Sequence, residues 1–333
     1  MWNLGLILHF ALSSMSNFPY QPFPFNVTPA SPLFGLSPVA LNTDQGWIPS
    51  CSTPECVPTA SWSTGLIGST LSFQFWGWDV AFDGIVKGNM SVEVLRDGVE
   101  ESWNPLADTL FRLYGQGTDQ FYLHNITLKV LDASPNAELT VNQARVNGST
   151  LVDVDSYPQR WIIPSNDMSL SYTGFIEQAS AAETGSRALY ISSKAGDTAS
   201  MQFNASTFLL YGPCGPKNGL IKITVDGRES TVNTSMPIQS NDCLLFQAKG
   251  LSRLMMHQLI VENIDGATLG IDRFEFFWLA DALPGRLTAG ATTVVFVFVS
   301  VFTTISFWAG VMIFLRRPNQ GKKLVRMFKV LFS

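Results

Sequence analysis

From about residue 26 to residue 280, apolar and polar positions alternate in short runs broken every few residues by Gly, Asn, Asp, Pro or Ser. Leu71–Trp78 (LSFQFWGW), Met90–Leu95 (MSVEVL), Ile126–Leu131 (ITLKVL), Ser206–Tyr211 (STFLLY) and Leu220–Val225 (LIKITV) are examples. Alternation with a period of two sends successive side chains to opposite faces of a strand, and no long helical periodicity competes with it here. The pattern therefore predicts many short strands packed as β-sandwiches. Asp97-Gly98 and Asp226-Gly227 each end such a run, as suits a two-residue hairpin whose central residues both take positive φ. One stretch departs from this pattern: Thr288–Leu315 runs for 28 residues without a charge. That exceeds the roughly 20 residues a helix needs to cross a bilayer's hydrocarbon core, and it predicts a membrane-spanning α-helix.

Comparing the two Asp-Gly turns exposes an internal repeat. Gly68–Phe75 (GSTLSFQF) corresponds to Gly196–Phe203 (GDTASMQF), and Val92–Gly98 (VEVLRDG) to Ile221–Gly227 (IKITVDG). His124–Ala133 (HNITLKVLDA) then matches His257–Gly266 (HQLIVENIDG), and Ala137–Val146 (AELTVNQARV) matches Ala267–Phe276 (ATLGIDRFEF). The order is preserved and the offsets stay between 128 and 133 residues, so the body reads as a duplicated unit.

Charge orients the chain. The 26 acidic residues and 15 of the 21 basic ones precede the apolar stretch, while Arg316, Arg317, Lys322, Lys323, Arg326 and Lys329 follow it with no acid among them. A basic flank stays cytoplasmic, which places the acidic N-terminal part outside or in the lumen and makes the lipid bilayer a partner. An acidic ectodomain argues against nucleic acid. Trp2–Leu12 followed by small residues reads as a weak signal peptide, residues 1–16. The expected organisation is then domain 1 over 17–152, domain 2 over 153–282, a linker at 283–287, the span at 288–315 and a basic tail at 316–333.

In sequence, the strand of the form G-S-x-x-x-F-x-F, the Asp-Gly hairpin, the His-led strand and the closing L-x-I-D-x-F-E strand resemble a known unit. It is the galactose-binding-like jelly roll found in tandem in secreted and single-pass surface proteins of mushroom-forming fungi. The likeness covers roughly residues 30–280 and is fullest in the second half, at Gly196–Phe203, Asp226-Gly227, His257 and Leu269–Glu275. The first half departs at its end, with Asn142 and Ala144 where the pattern has Asp and an aromatic. The resemblance implies two tandem jelly-roll domains followed by one transmembrane helix, acting in recognition rather than catalysis.

The chemistry-bearing residues fit that expectation. Four cysteines, Cys51 with Cys56 and Cys214 with Cys243, suggest one bridge in each half in an oxidising compartment; a zinc site and unpaired thiols are the competing readings. N-glycosylation sequons begin at Asn26, Asn89, Asn125, Asn147, Asn204 and Asn233, all before the span. His124 and His257 open equivalent strands of the repeat, which marks them as structural before catalytic. Asp272, with Asp265 and Glu275 nearby, is the place where calcium would be sought. No nucleophile elbow, phosphate loop or His-Glu-x-x-His occurs, so no catalytic residue and no cofactor are assigned. Trp76 and Trp78 are the candidate ligand contacts, since sugars stack on exposed rings, with burial in the sandwich core as the default. The expected function is a non-catalytic ectodomain that binds a glycan or protein partner; a structural or trafficking protein without a soluble ligand, and an ectodomain hydrolase, are the alternatives.

Overall fold

The computed structural model describes residues 24–40, 45–50, 61–77, 79–115, 122–147, 159–178, 189–248, 250–252 and 255–278. The signal segment, the linker, the span and the basic tail lie outside the described residues, as do Cys51, Cys56 and Trp78. Among the described residues no helix is long and apolar enough to cross a membrane.

Among the described residues all regular structure is β. In the first half, one sheet runs β3 (Ile48–Pro49), β4 (Trp62–Thr64), β11 (Glu138–Val146), β6 (Val80–Lys87) and β9 (Thr109–Leu113), with β1 (Phe25–Val27) also against β11. The facing sheet runs β2 (Phe34–Ser37), β5 (Thr70–Trp76), β10 (Leu123–Ala133), β7 (Met90–Arg96) and β8 (Val99–Glu101). In the second half, β12 (Gln159–Pro164), β23 (Arg273–Trp278), β17 (Thr207–Cys214) and β20 (Ser240–Ala248) form one sheet. They face β13 (Ser171–Thr173), β16 (Thr198–Phe203), β21 (His257–Asn263), β18 (Leu220–Val225) and β19 (Arg228–Asn233). A small sheet of β14 (Ile176–Gln178), β15 (Leu189–Ser192) and β22 (Leu269–Ile271) completes it.

The two halves repeat one strand order. The run β2-β5-β10-β7-β8 has the same succession as β13-β16-β21-β18-β19, and each ends in its Asp-Gly hairpin. Asp97 and Gly98 take φ of 54° and 82°, Asp226 and Gly227 take 51° and 79°, the left-handed values a two-residue turn needs. On the other sheet, β11 slips register between Val141 and Gln143, and at the matching place the second half splits into β22 and β23 on either side of Asp272. The neighbouring strand carries a glycine at this irregularity in both halves. A Cβ on Gly84 would strike the Thr140 carbonyl, and one on Gly212 the Gly270 carbonyl, so both positions require glycine for close approach.

Period-two burial builds the cores. Leu71, Phe73 and Phe75 face inward from β5, and Ile126, Leu128 and Val130 from β10. In the second half Met201, Phe203, Leu259 and Val261 do the same, joined by Phe208, Phe274 and Phe276 from the opposing sheet. Cys214 and Cys243, whose Cα atoms are 6.0 Å apart, form a buried disulfide between β17 and β20.

β17 breaks the alternation, because nearly all of its residues are buried. Phe208 and Leu210 point into the second core, while Leu209 joins Leu244 and Phe277 in a cluster with Phe25, Val27 and the first core. The outer face of the β12-β23-β17-β20 sheet is thus covered around Leu209, Leu244 and Phe277 by the first sandwich, and the described residues of both halves form one compact unit. Polar contacts fix the register of this junction. The Gln247 side chain donates to the Trp76 carbonyl and accepts from the Trp76 amide, both at 2.9 Å, and Ser31 Oγ donates to the Leu244 carbonyl at 2.5 Å. Truncating Leu209 to alanine should therefore cost about 2–5 kcal/mol, as for a core leucine, rather than the roughly 0.5 kcal/mol of an outward sheet position. Urea unfolding measures this, and a loss below about 1 kcal/mol would contradict two-sided burial.

Candidate functional site

The duplicated histidines sit at matching places and do matching work. His124 Nδ1 is 2.7 Å from Asp97 Oδ2, and His257 Nδ1 is 2.5 Å from Asp226 Oδ2. Each aspartate belongs to the Asp-Gly turn, and its other oxygen accepts the backbone N–H that follows the histidine, from Asn125 at 2.8 Å and Gln258 at 2.9 Å. The turn is thereby clamped to the central strand, with the rings against Phe75 and Phe203. His257 is buried, and its Nε2 donates to the Ser252 carbonyl at 2.7 Å, so both ring nitrogens are occupied by acceptors. This arrangement supports the hairpin and leaves His257 no nitrogen for proton transfer.

The hydrogen bond from His257, aided by the Gln258 amide, holds the Asp226 carboxyl below the usual carboxylate range. For Asp97, burial pushes upward but is outweighed by the Asn125 amide and His124, and the net direction is again down. A depressed native value means that the unfolded chain takes up protons first as pH falls. The stabilisation is complete above the ordinary carboxylate value, about 4, and is lost on acidification through the lower native values. Asp226→Asn should be less stable than the parent at pH 7, and this gap should narrow between pH 5 and pH 2 as the parent's carboxylate is protonated, read by denaturant midpoints across that range.

The six sequon asparagines differ in placement. Asn26, Asn89, Asn204 and Asn233 are exposed. Asn125 is half-buried in the middle of the sheet, with Nδ2 3.3 Å from Thr127 Oγ1 of its own sequon. Asn147 is only 4% exposed and sits at φ 57°, with its backbone N–H on the Asp79 carbonyl, so it is the poorest acceptor of the set. The acidic residues considered for calcium are otherwise engaged. Asp265 accepts from the Leu220 and Ala267 amides, and Asp272 and Glu275 bind arginine. Among the described residues no group of three or more His, Cys, Asp or Glu could hold a metal ion.

Trp76 lies outside the core. Leu71, Phe73 and Phe75 take the inner face of β5, which turns Gln74 and Trp76 outward; Trp76 is half-buried there. Its cross-strand partner is Leu123, and Gln74 pairs with Asn125 one step along. Leu123 and the neighbouring Tyr122 are exposed, at 49% and 64%. An indole, two planar amides and an exposed apolar rim therefore share one flat surface, and the Gln247 amide pins the Trp76 backbone at its edge.

A second polar arrangement was missed in the sequence. On the outer face of the β12-β23-β17-β20 sheet, Arg273 Nη1 lies 2.6 Å from both Asp242 and Asp272, and its Nε lies 3.0 Å from Glu275. Arg160 reaches the other Glu275 oxygen at 2.8 Å, and the Arg273 guanidinium sits 3.9 Å above the Tyr211 ring. Burial works against the Arg273 charge, but the hydrogen bonds it donates to Asp242 and Asp272 hold it above its ordinary range; burial also raises the Tyr211 phenol. Arg160, Tyr211, Asp242, Arg273 and Glu275 line a cavity of about 480 Å³ whose other wall is Pro24 to Thr28. The only sequence signal was Arg273-Phe274-Glu275, an i, i+2 pair that a strand puts on one face. At the equivalent places of the first sandwich, Asp83 accepts from Gln143 and, through both oxygens, from Arg145.

No protein-family model matches the chain, and no curated protein matches it. Among solved structures, a two-domain esterase active on acetylated mannans, co-crystallised with mannopentaose, matches at 15% identity over 38% of each chain with a TM-score of 0.30. The chain thus spans 38% of that esterase's length. The N-terminal CBM22-1-CBM22-2 tandem domain of Xyn10C from Paenibacillus barcinonensis matches at 13% identity over 77% of this chain and 97% of that one, with a TM-score of 0.24. A Paenibacillus xanthan lyase matches at 11% identity over 67% of this chain and 24% of that one, with a TM-score of 0.27. At TM-scores this low, these likenesses assign neither fold nor function to the chain.

Proposed function

We propose that the protein is a type I single-pass surface glycoprotein of the mushroom-forming fungal kind, whose two jelly-roll domains form a non-catalytic recognition module for cell-wall or surface glycans. The signal at 1–16 directs it to the secretory pathway, residues 288–315 hold it in the bilayer, and the basic tail faces the cytoplasm. Support comes from the uncharged span, the one-sided charge, the buried disulfide and the four exposed sequon asparagines.

The observation that carries the recognition reading is the outward placement of Trp76 on a rigid sheet beside Leu123, Gln74 and Asn125. A saccharide ring presents an apolar C–H face and a rim of hydroxyls; an indole takes the first, and planar amides, which both donate and accept, take the second. Enclosure of His257 between two acceptors is the arrangement of a scaffold rather than of a general base.

Two measurements test this. Deglycosylation of membrane fractions should collapse the protein to its polypeptide mass of 36.6 kDa less any cleaved signal. In addition, Trp76→Ala should lower glycan affinity by about 1–2 kcal/mol, roughly 5- to 30-fold, on an array of fungal-wall and surface glycans, with unchanged thermal unfolding. Silence of the parent ectodomain on such an array, together with a stable homo-oligomer, would favour the structural or trafficking alternative.

A further inference from the structure

The junction cavity stands apart from the Trp76 surface, and its wall contains a complete sequon. Asn26, Val27 and Thr28 all line it, and among the described residues no other sequon asparagine does. β1 fixes their geometry: Phe25 and Val27 are buried against Val146 and Ala144, which leaves Asn26 exposed. The opposite wall bears Arg160 and Asp242, whose side chains are 53% and 50% exposed, with Tyr211, Arg273 and Phe277 beside them.

We propose that this cavity is occupied in cis by the first sugars of an N-linked glycan carried on Asn26. Charge favours a neutral occupant: Arg160 and Arg273 face Asp242, Asp272 and Glu275, so the surroundings are nearly compensated with one negative charge in excess, and an anionic ligand is disfavoured. Hydroxyls suit the walls because Arg160 can only donate and Asp242 only accept, while a hydroxyl does both. The partly exposed edge of the Tyr211 ring, whose one face is taken by Arg273, offers apolar contact to a sugar's C–H groups. Attachment transfers the oligosaccharide from a lipid-pyrophosphate donor. The Asn26 Nδ2–C1 bond forms, the C1–O bond to the pyrophosphate breaks, the lipid pyrophosphate leaves as an anion, and the proton lost from the amide passes to solvent. The glycan then acts as a wedge that covers the exposed side of the junction.

This inference rests on the secretory-pathway reading, and its test separates the two. The full chain is purified from a glycosylating eukaryotic host in detergent and treated with peptide N-glycosidase, native or denatured. The release at each sequon is followed by site-resolved mass spectrometry of the Asn-to-Asp conversion. The Asn26 glycan should be released about tenfold or more slowly than those on Asn89, Asn204 and Asn233 in the native protein, and equally fast after denaturation. Arg160→Ala and Asp242→Asn should each raise the native rate at Asn26 toward that of the other sites. Thr28→Ala should abolish the modification there, and Thr28→Ser should retain it. Equal native rates at all four sites in the parent, a comparison that needs no variant, would overturn the proposal. An unmodified Asn26 alongside occupied Asn89, Asn204 and Asn233 would also overturn it while leaving the surface-glycoprotein reading intact. No modification at any sequon would overturn both.

Discussion

The structure depends on a sheet that buries apolar side chains on both of its faces. A sandwich normally turns one face of each sheet to water, and β5 and β16 alternate buried with less buried positions along their whole length; β17 does not. Phe208 and Leu210 need the second core, while Leu209, with Leu244 and Phe277 alongside, needs an equally dry surface on the other side. The first sandwich supplies it. Burial at about 25 cal/mol per Å² makes such a contact worth several side chains' transfer free energy, which explains why the two halves behave as one unit rather than as beads.

Duplication and divergence can be read off the same sheet. The strand order, the paired Asp-Gly turns, the His-Asp clamps and the two glycines at the register slip are held in common, because each answers a backbone requirement that both copies share. The outward side chains are under no such requirement. Where the first copy places Asp83 between Gln143 and Arg145, the second places Arg273 among carboxylates and over Tyr211. One copy centres on a carboxylate and the other on a guanidinium. The second also borders the cavity at the junction, where buried charges must be compensated.

Much of the framework was legible in the sequence because it is local. Asp-Gly turns, period-two runs and the collinear repeat are each carried by a few adjacent residues, and the observed strands Met90–Arg96 and Leu220–Val225 start where the alternation starts. The face of Trp76 departs from the default of core burial: Leu71, Phe73 and Phe75 claim the inner face, and period two sends Trp76 outward. The cavity was not legible. Arg160, Tyr211, Asp242 and Arg273 come from four strands and meet only through cross-strand register, which no single stretch records. The burial of Asn147 was equally hidden, since its sequon is ordinary and only the left-handed end of β11 and the cover from neighbouring strands enclose it.

The tether between Gln247 and Trp76 has a mechanical meaning. Its amide donates to one backbone group and accepts from the other, as a neighbouring strand would, so the first sandwich is stitched to β20 at the residue that presents the indole. Tension applied at that indole and resisted within the second sandwich need not run through the connection between the halves. It passes across the stitch and the dry contact behind it, where parallel bonds share the load.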